Sequence, residues 1–262
     1  MSLMGMRMER VKKQLCNQIG LTLVEMLVAV AISGILVTAI YTAYVIQQKS
    51  YVVQEQVAET QQNLRAAMLR MLDEIRQAAC DPTGNADARI LTATATRFRF
   101  TTDIGGDAVN ANESDGDTDD ANEDVEYGLS NANDANGNGI ADGGGLDWST
   151  SVSLGRQTGG AGGFQPVADL IDALEFSYVM ADGTSTTAPA ELDDIRAVQI
   201  SLLARGGRPD PDAQFSDDST YMTASGAVWV PGDTDGDGVR DVVDNFRRRF
   251  VVFTIYIRNQ EF

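Results

Sequence analysis

The chain has 262 residues, with 20 Lys and Arg against 38 Asp and Glu, a net charge of −18. A surface this acidic repels phosphate backbones, which argues against direct nucleic-acid binding by the body, and it suits divalent cations. There is no histidine, so the commonest general base and any Ser-His or Cys-His arrangement are absent, and the chain does not read as an enzyme.

In chain order, residues 1–20 form a short polar leader carrying Arg7, Arg10, Lys12 and Lys13 against one acid, Glu9. From Met26 to Ile46 no residue is charged, a run that makes a helix of roughly 30 Å, enough to cross a bilayer core. Glu25 stands at its N-terminal edge. An ordinary secretory signal places its small-residue cut after the apolar region. Here a cut between Gly20 and Leu21 precedes it, so the apolar helix stays with the mature protein. The mature chain then holds 16 basic and 37 acidic residues, a net of −21. Cys16 leaves with the leader and Cys80 alone remains, so no internal disulfide forms. The basic leader predicts a cytoplasmic N-terminus and a body that crosses outward.

No Pro or Gly occurs from Gln47 to Ala79. Val53, Val57, Leu64, Met68, Met71, Ile75 and Ala79 recur on one helical face, and Asp81-Pro82 with Gly84 ends the helix. The pattern predicts one helix from about Thr22 to Cys80, roughly 85 to 90 Å long. Residues 21–46 would be its transmembrane or filament-core part, and residues 47–80 an amphipathic part carrying a domain. Strand chemistry follows at 90–100, 125–129, 148–154, 170–180, 195–204, 228–230 and, strongest, 249–258. The body, residues 81–262, is therefore β-rich with long acidic loops, and the whole is α+β.

Residues 233–244 read DTDGDGVRDVVD. Counting Asp233 as one, side-chain oxygens fall at Asp233, Asp235, Asp237, Asp241 and Asp244, with the Val239 carbonyl at seven and Gly238 at six. Calcium takes six to eight hard oxygens, and this spacing wraps a short loop round one Ca²⁺. The pattern resembles EF-hand, dockerin and thrombospondin type 3 loops, with Asp244 in place of the bidentate Glu. Asp134, Asn136, Asn138, the Ile140 carbonyl and Asp142 repeat the first nine positions, but position twelve is Gly145, so Asp147 or another loop must supply an anchor. The acids from Asp115 to Glu126 lack the glycine and read as a loop assisting a neighbouring site. Trp148, Tyr221 and Trp229 lie near these loops without forming a recognisable site.

Gly20-Leu21-Thr22-Leu23-Val24-Glu25, with the apolar run behind it, resembles the class III prepilin signal of type IV pilins and type II secretion pseudopilins; Leu21 replaces the usual Phe. The resemblance implies a prepilin peptidase that cuts after Gly20 and methylates Leu21. It also implies that Glu25 neutralises the new α-amine in a filament. The body, with QPVADLIDALEFSYVMADGT, DIRAVQISLLARG and a final Ile257-Arg258-Asn259, is similar to the PilW family of minor pilins. That similarity implies a pilin-like fold, with the long helix packed on an antiparallel sheet, and a structural or priming role in a type IV pilus. Partners would be other minor and major pilins, the prepilin peptidase and an inner-membrane assembly platform. The protein would be single-pass in the inner membrane, its body periplasmic, and then part of a surface pilus. The alternatives are a J-type minor pseudopilin of type II secretion, or a calcium-dependent tip adhesin.

Overall fold

Helix α1 spans Leu23–Ile75 in the computed structural model, which describes residues 20–106, 113–120, 122–143, 145–160, 163–212 and 214–259. The expected leader, apart from Gly20, and Cys16 lie outside these. The chain divides into two compact units, Met1–Tyr51 and Val52–Phe262. In the first, the large apolar side chains of α1 from Leu23 to Ile46 are exposed, except half-buried Val45, and the helix is long and apolar enough to cross a membrane.

In the second unit α1 buries Gln56, Thr60, Leu64, Ala67, Met71 and Ile75. Steps of three and four keep these residues on one face. Leu64, Met71 and Ile75 lie in the expected stripe, but Val57 is exposed and its place is taken by polar residues. The reason is what this turn faces: Gln56 Nε2 donates to the Arg208 carbonyl at 3.0 Å, and Thr60 Oγ1 to the Gln56 carbonyl at 2.8 Å. The helix stops at Ile75, short of Cys80. Residues 76–79 continue as turns, and Ala79, at φ 60, donates its N–H to Thr101.

The strands are β1 (Ile90–Ala93), β2 (Arg97–Thr101), β3 (Asp124–Gly128), β4 (Val152–Thr158), β5 (Gln165–Met180), β6 (Ser185–Thr186), β7 (Ile195–Arg205), β8 (Tyr221–Met222), β9 (Val228–Trp229) and β10 (Arg248–Tyr256). The main sheet runs β1-β2-β3-β4-β5-β7-β10, with β6 on β5, and each of these neighbouring strands pairs antiparallel. The α+β plan read from the sequence is thus the observed one. Local readings differ, and β5 starts at Gln165, before the expected 170. The run 90–100 breaks into β1 and β2, because Thr94 and Arg97 close a turn with a 2.9 Å hydrogen bond. Trp148 adopts φ 64, so the strand expected from 148 starts at Val152. Val228 pairs with Met222 in a separate hairpin rather than edging the sheet.

One sheet face and α1 enclose the main core, which includes Phe98, Phe100, Tyr127, Phe176, Tyr178 and Ile200. Glu74 pins the helix there: it accepts from Tyr127 Oη at 2.6 Å and Arg156 Nε at 2.7 Å, and pairs with Arg70 at 2.6 Å. A second, smaller cluster joins Ala173 of β5 and Leu203 of β7 to Trp148 and Trp229, with Ile140, Tyr221 and Phe250 against it. The segments carrying the two metal-loop patterns therefore fold against the sheet through tryptophan.

Candidate functional site

At the N-terminal end, Gly20 and Leu21 precede α1 and are exposed. Thr22 Oγ1 accepts the Glu25 N–H at 3.2 Å, while Glu25 Oε2 accepts the Thr22 N–H at 2.8 Å and its hydroxyl at 2.9 Å. This is a capping box, which satisfies N–H groups left over at a helix start. It was legible as Thr-x-x-Glu but was missed, because Glu25 was read only toward a filament partner. The box also holds the carboxylate within a turn of Leu21.

The two loops share a backbone scaffold. In loop A, residues 134–147, Asp134 Oδ2 accepts the Gly139 N–H at 3.0 Å; in loop B, residues 233–244, Asp233 Oδ2 accepts the Gly238 N–H at 2.9 Å. Position three accepts the N–H of position five: Asn136 from Asn138 at 3.0 Å, Asp235 from Asp237 at 3.2 Å. Position five accepts that of position seven: Asn138 from Ile140 at 2.8 Å, Asp237 from Val239 at 2.7 Å. Position nine reaches back to position two: Asp142 accepts from Ala135 at 2.9 Å, Asp241 from Thr234 at 2.8 Å. Both loops turn on two glycines at positive φ, Gly137 and Gly139, and Gly236 and Gly238. At Gly139 a Cβ would also meet the Leu174 carbonyl at 2.2 Å.

The side chains differ. Asp233, Asp235 and Asp237 each bring a carboxylate oxygen within 4.8 Å of the others. That spacing fits one cation with ligands at about 2.3–2.6 Å, so these carboxylates can hold a metal ion. Asp244 is not brought in with them. Its oxygens accept from Arg248 Nη1 at 2.9 Å and Nη2 at 2.6 Å. Burial pushes the Asp244 carboxyl up, but the hydrogen bonds and charge of Arg248 outweigh it and hold it below the usual range. The Arg248 side chain is fully buried; it also meets Asp172 at 2.7 Å and Asp217 at 3.4 Å, while Arg205 lies 3.3 Å from Asp172. The twelfth position of loop B thus belongs to a buried ion-pair network, a partner choice the local spacing could not reveal. Thr234 holds the Asp241 carboxyl below its usual range.

Loop A reverses this. Its central ligand positions are two neutral amides, but Asp147 closes over them, accepting from Asn136 Nδ2 at 2.9 Å and Asn138 Nδ2 at 2.5 Å. Burial pushes Asp134 up, against the pull of the backbone N–H groups. The loop is stitched to β5: Leu174 donates to the Gly139 carbonyl and Ala141 to the Asp172 carbonyl, both at 2.8 Å. A third group, Asp115, Asp117 and Asp120, also lies within 4.8 Å. Among its neighbours, Asp117 pushes Asp119 up by hydrogen bond and charge, and burial with the charges of Asp115 and Glu123 pushes Asp120 up. The sequence reading had set these residues aside as an assisting loop.

Two family models match the chain. The prokaryotic N-terminal methylation motif matches residues 15–41, and Type IV Pilus-assembly protein W matches residues 158–259. Among solved structures, the type IV-like pilin TTHA1219 from Thermus thermophilus is similar at 12% identity and a TM-score of 0.41, covering 76% of this chain and 95% of that one. A likeness so loose carries no detail. No curated protein matches the chain. The methylation motif lies on an exposed apolar helix long enough to cross a membrane, and in this the N-terminal part is similar to pilin-like membrane proteins. The C-terminal match narrows this: residues 158–259 are similar to the type IV pilus-assembly protein W family.

Proposed function

We propose that this chain is a structural, non-catalytic minor pilin that helps prime a type IV pilus. A prepilin peptidase cuts between Gly20 and Leu21. The segment from Leu21 to Ile46 then holds the protein in the inner membrane with its body outside, and later enters the filament core beside other minor and major pilins. The observation that carries this reading is the methylation motif over residues 15–41, which runs into the exposed, apolar first part of α1. Glu25, one turn from Leu21, neutralises the new α-amine of its own or a neighbouring subunit; in a dry helix bundle such a pair fixes axial register more than it adds stability.

The test is the mature N-terminus by mass spectrometry, expected to be N-methylated Leu21, together with Glu25→Ala. That variant is cleaved normally but enters filaments poorly, by about tenfold if the lost pairing is worth about 1.4 kcal/mol. A mature chain beginning upstream of Leu21, or full incorporation of the variant, overturns the reading.

Calcium staples the acidic loops in this proposal. Loop B supplies Asp233, Asp235, Asp237, the Val239 carbonyl and Asp241. Loop A supplies Asp134, Asn136, Asn138, the Ile140 carbonyl and Asp142, backed by Asp147. A cation bound only by the folded body adds about 2.7 kcal/mol at a hundred times its Kd. Chelation of the purified chain therefore lowers the melting temperature of the body by about 5–10 °C per saturated site. An unchanged melting curve, with no calcium found in the protein, removes this role.

A further inference from the structure

The two edges of the main sheet are built differently. β1 has four residues, and its register with β2 slips between Ile90 and Thr92, a short irregular form that discourages further pairing. β10 has nine residues, no Pro and no Gly, and it pairs with β7 without a slip from Arg248 to Tyr256. Among the described residues nothing pairs with its other edge. Val251, Phe253 and Ile255 face the main core, while Val252, Thr254 and Tyr256 alternate with them and are exposed. An open row of backbone donors and acceptors beside an apolar row is a template for one more strand.

The charges at the ends decide which strand. Arg249 and Arg258 are exposed and form no ion pair among the described residues, whereas Arg205, Arg240, Arg247 and Arg248 all do. Arg258 lies two residues beyond β10, so a fully overlapped antiparallel pairing with a second copy sets Arg249 against Ile255 and offers neither arginine an acid. A parallel one sets each arginine against itself. Like charges directly opposite oppose the parallel pairing, and β10 itself holds no acid, so the two unpaired arginines favour a strand of another chain with acidic ends.

We propose that the free edge of β10 is a docking site for an extended segment of a different filament subunit: about eight to ten residues, alternating apolar, with an acidic residue at each end. This rests on reading the chain as a filament subunit. The pairing adds main-chain hydrogen bonds along β10 and two charge contacts that set its register.

The test places a photo-crosslinking amino acid at Thr254 of the full chain in its own cells, with exposed Glu191 as the control position. The expected product joins this chain to a different subunit that carries its own N-terminal methylation motif. Arg249→Glu with Arg258→Glu lowers the yield about tenfold, while cleavage and the melting temperature of the body stay unchanged. A product with a second copy, a product with an unrelated protein, no product above the Glu191 control, or a yield indifferent to charge reversal each overturns the proposal. Filament incorporation is scored in the same cells, so a chain that is incorporated but gives no product sinks the docking edge alone. A chain that is never incorporated sinks the pilin reading as well.

Discussion

Loops A and B trace the same hydrogen-bond scaffold, yet they differ in where their last carboxylate goes. Loop B has three carboxylates at positions one, three and five, and Asp244 is held by Arg248. Loop A has one carboxylate and two amides there, and Asp147 closes over both amides. By charge count loop B is the stronger cation site; by closure loop A is the more complete. Spacing along the chain decides how a short loop turns, but the partner of its final carboxylate is decided by what the rest of the fold brings near.

The sharpest way to break this comparison is Arg248→Met. It leaves Asp172, which is fully buried, without its nearest cation. Removing one partner of a buried pair costs about 3–5 kcal/mol, read as a lower urea midpoint. A loss under about 1 kcal/mol would mean that the network is not what holds Asp244 out of loop B. Next in size is a contrast between two carboxylates. Asp244→Asn costs about 1.5–3 kcal/mol of body stability, the range for hydrogen bonds to charged groups, and leaves calcium affinity unchanged in isothermal titration. Asp147→Asn does the reverse, weakening calcium binding about 10- to 100-fold through the lost support of Asn136 and Asn138. If Asp244→Asn weakened calcium and Asp147→Asn did not, the roles assigned to the two loops would have to be exchanged.

The smallest effect is optical. The protein has two tryptophans, one following Asp147 and one four residues before Asp233, and both lie in the small cluster. Trp148→Phe leaves Trp229 as a reporter for loop B, and Trp229→Phe leaves Trp148 for loop A. Each is expected to shift its emission modestly to the red on chelation, as its side of the cluster loosens. A shift in neither variant would uncouple the loops from that cluster.

Much of this was legible residue by residue. The uncharged run from Met26 to Ile46 announces a helix suited to lipid, because hydropathy is additive along a helix. Gly137, Gly139, Gly236 and Gly238 with their oxygen-bearing neighbours announce tight turns, because positive φ is a local demand. β10 was the clearest strand for a similar reason, its β-branched and aromatic side chains fitting a pleated surface. Polar Gln56 and Thr60 in the buried stripe were not foreseen: Gln56 meets the Arg208 carbonyl 152 residues away, and periodicity registers only hydrophobicity. Nor was the turn at Thr94, where one strand run becomes two.

By itself the sequence determined the long apolar helix, the methylation motif, the α+β order and the internal course of both loops, each set by interactions within a few residues. Only the tertiary structure decided that Asp244 serves Arg248, that Asp147 closes loop A, that the tryptophans join in one cluster, and that β10 is left at an open edge. Asp244 is only four residues from Arg248, but what fixes that arginine is Asp172, 76 residues away, and the tryptophan cluster and the open edge likewise join distant segments. Their proximity is settled when the sheet closes and buries a charge that must find a partner, and no local pattern encodes that choice.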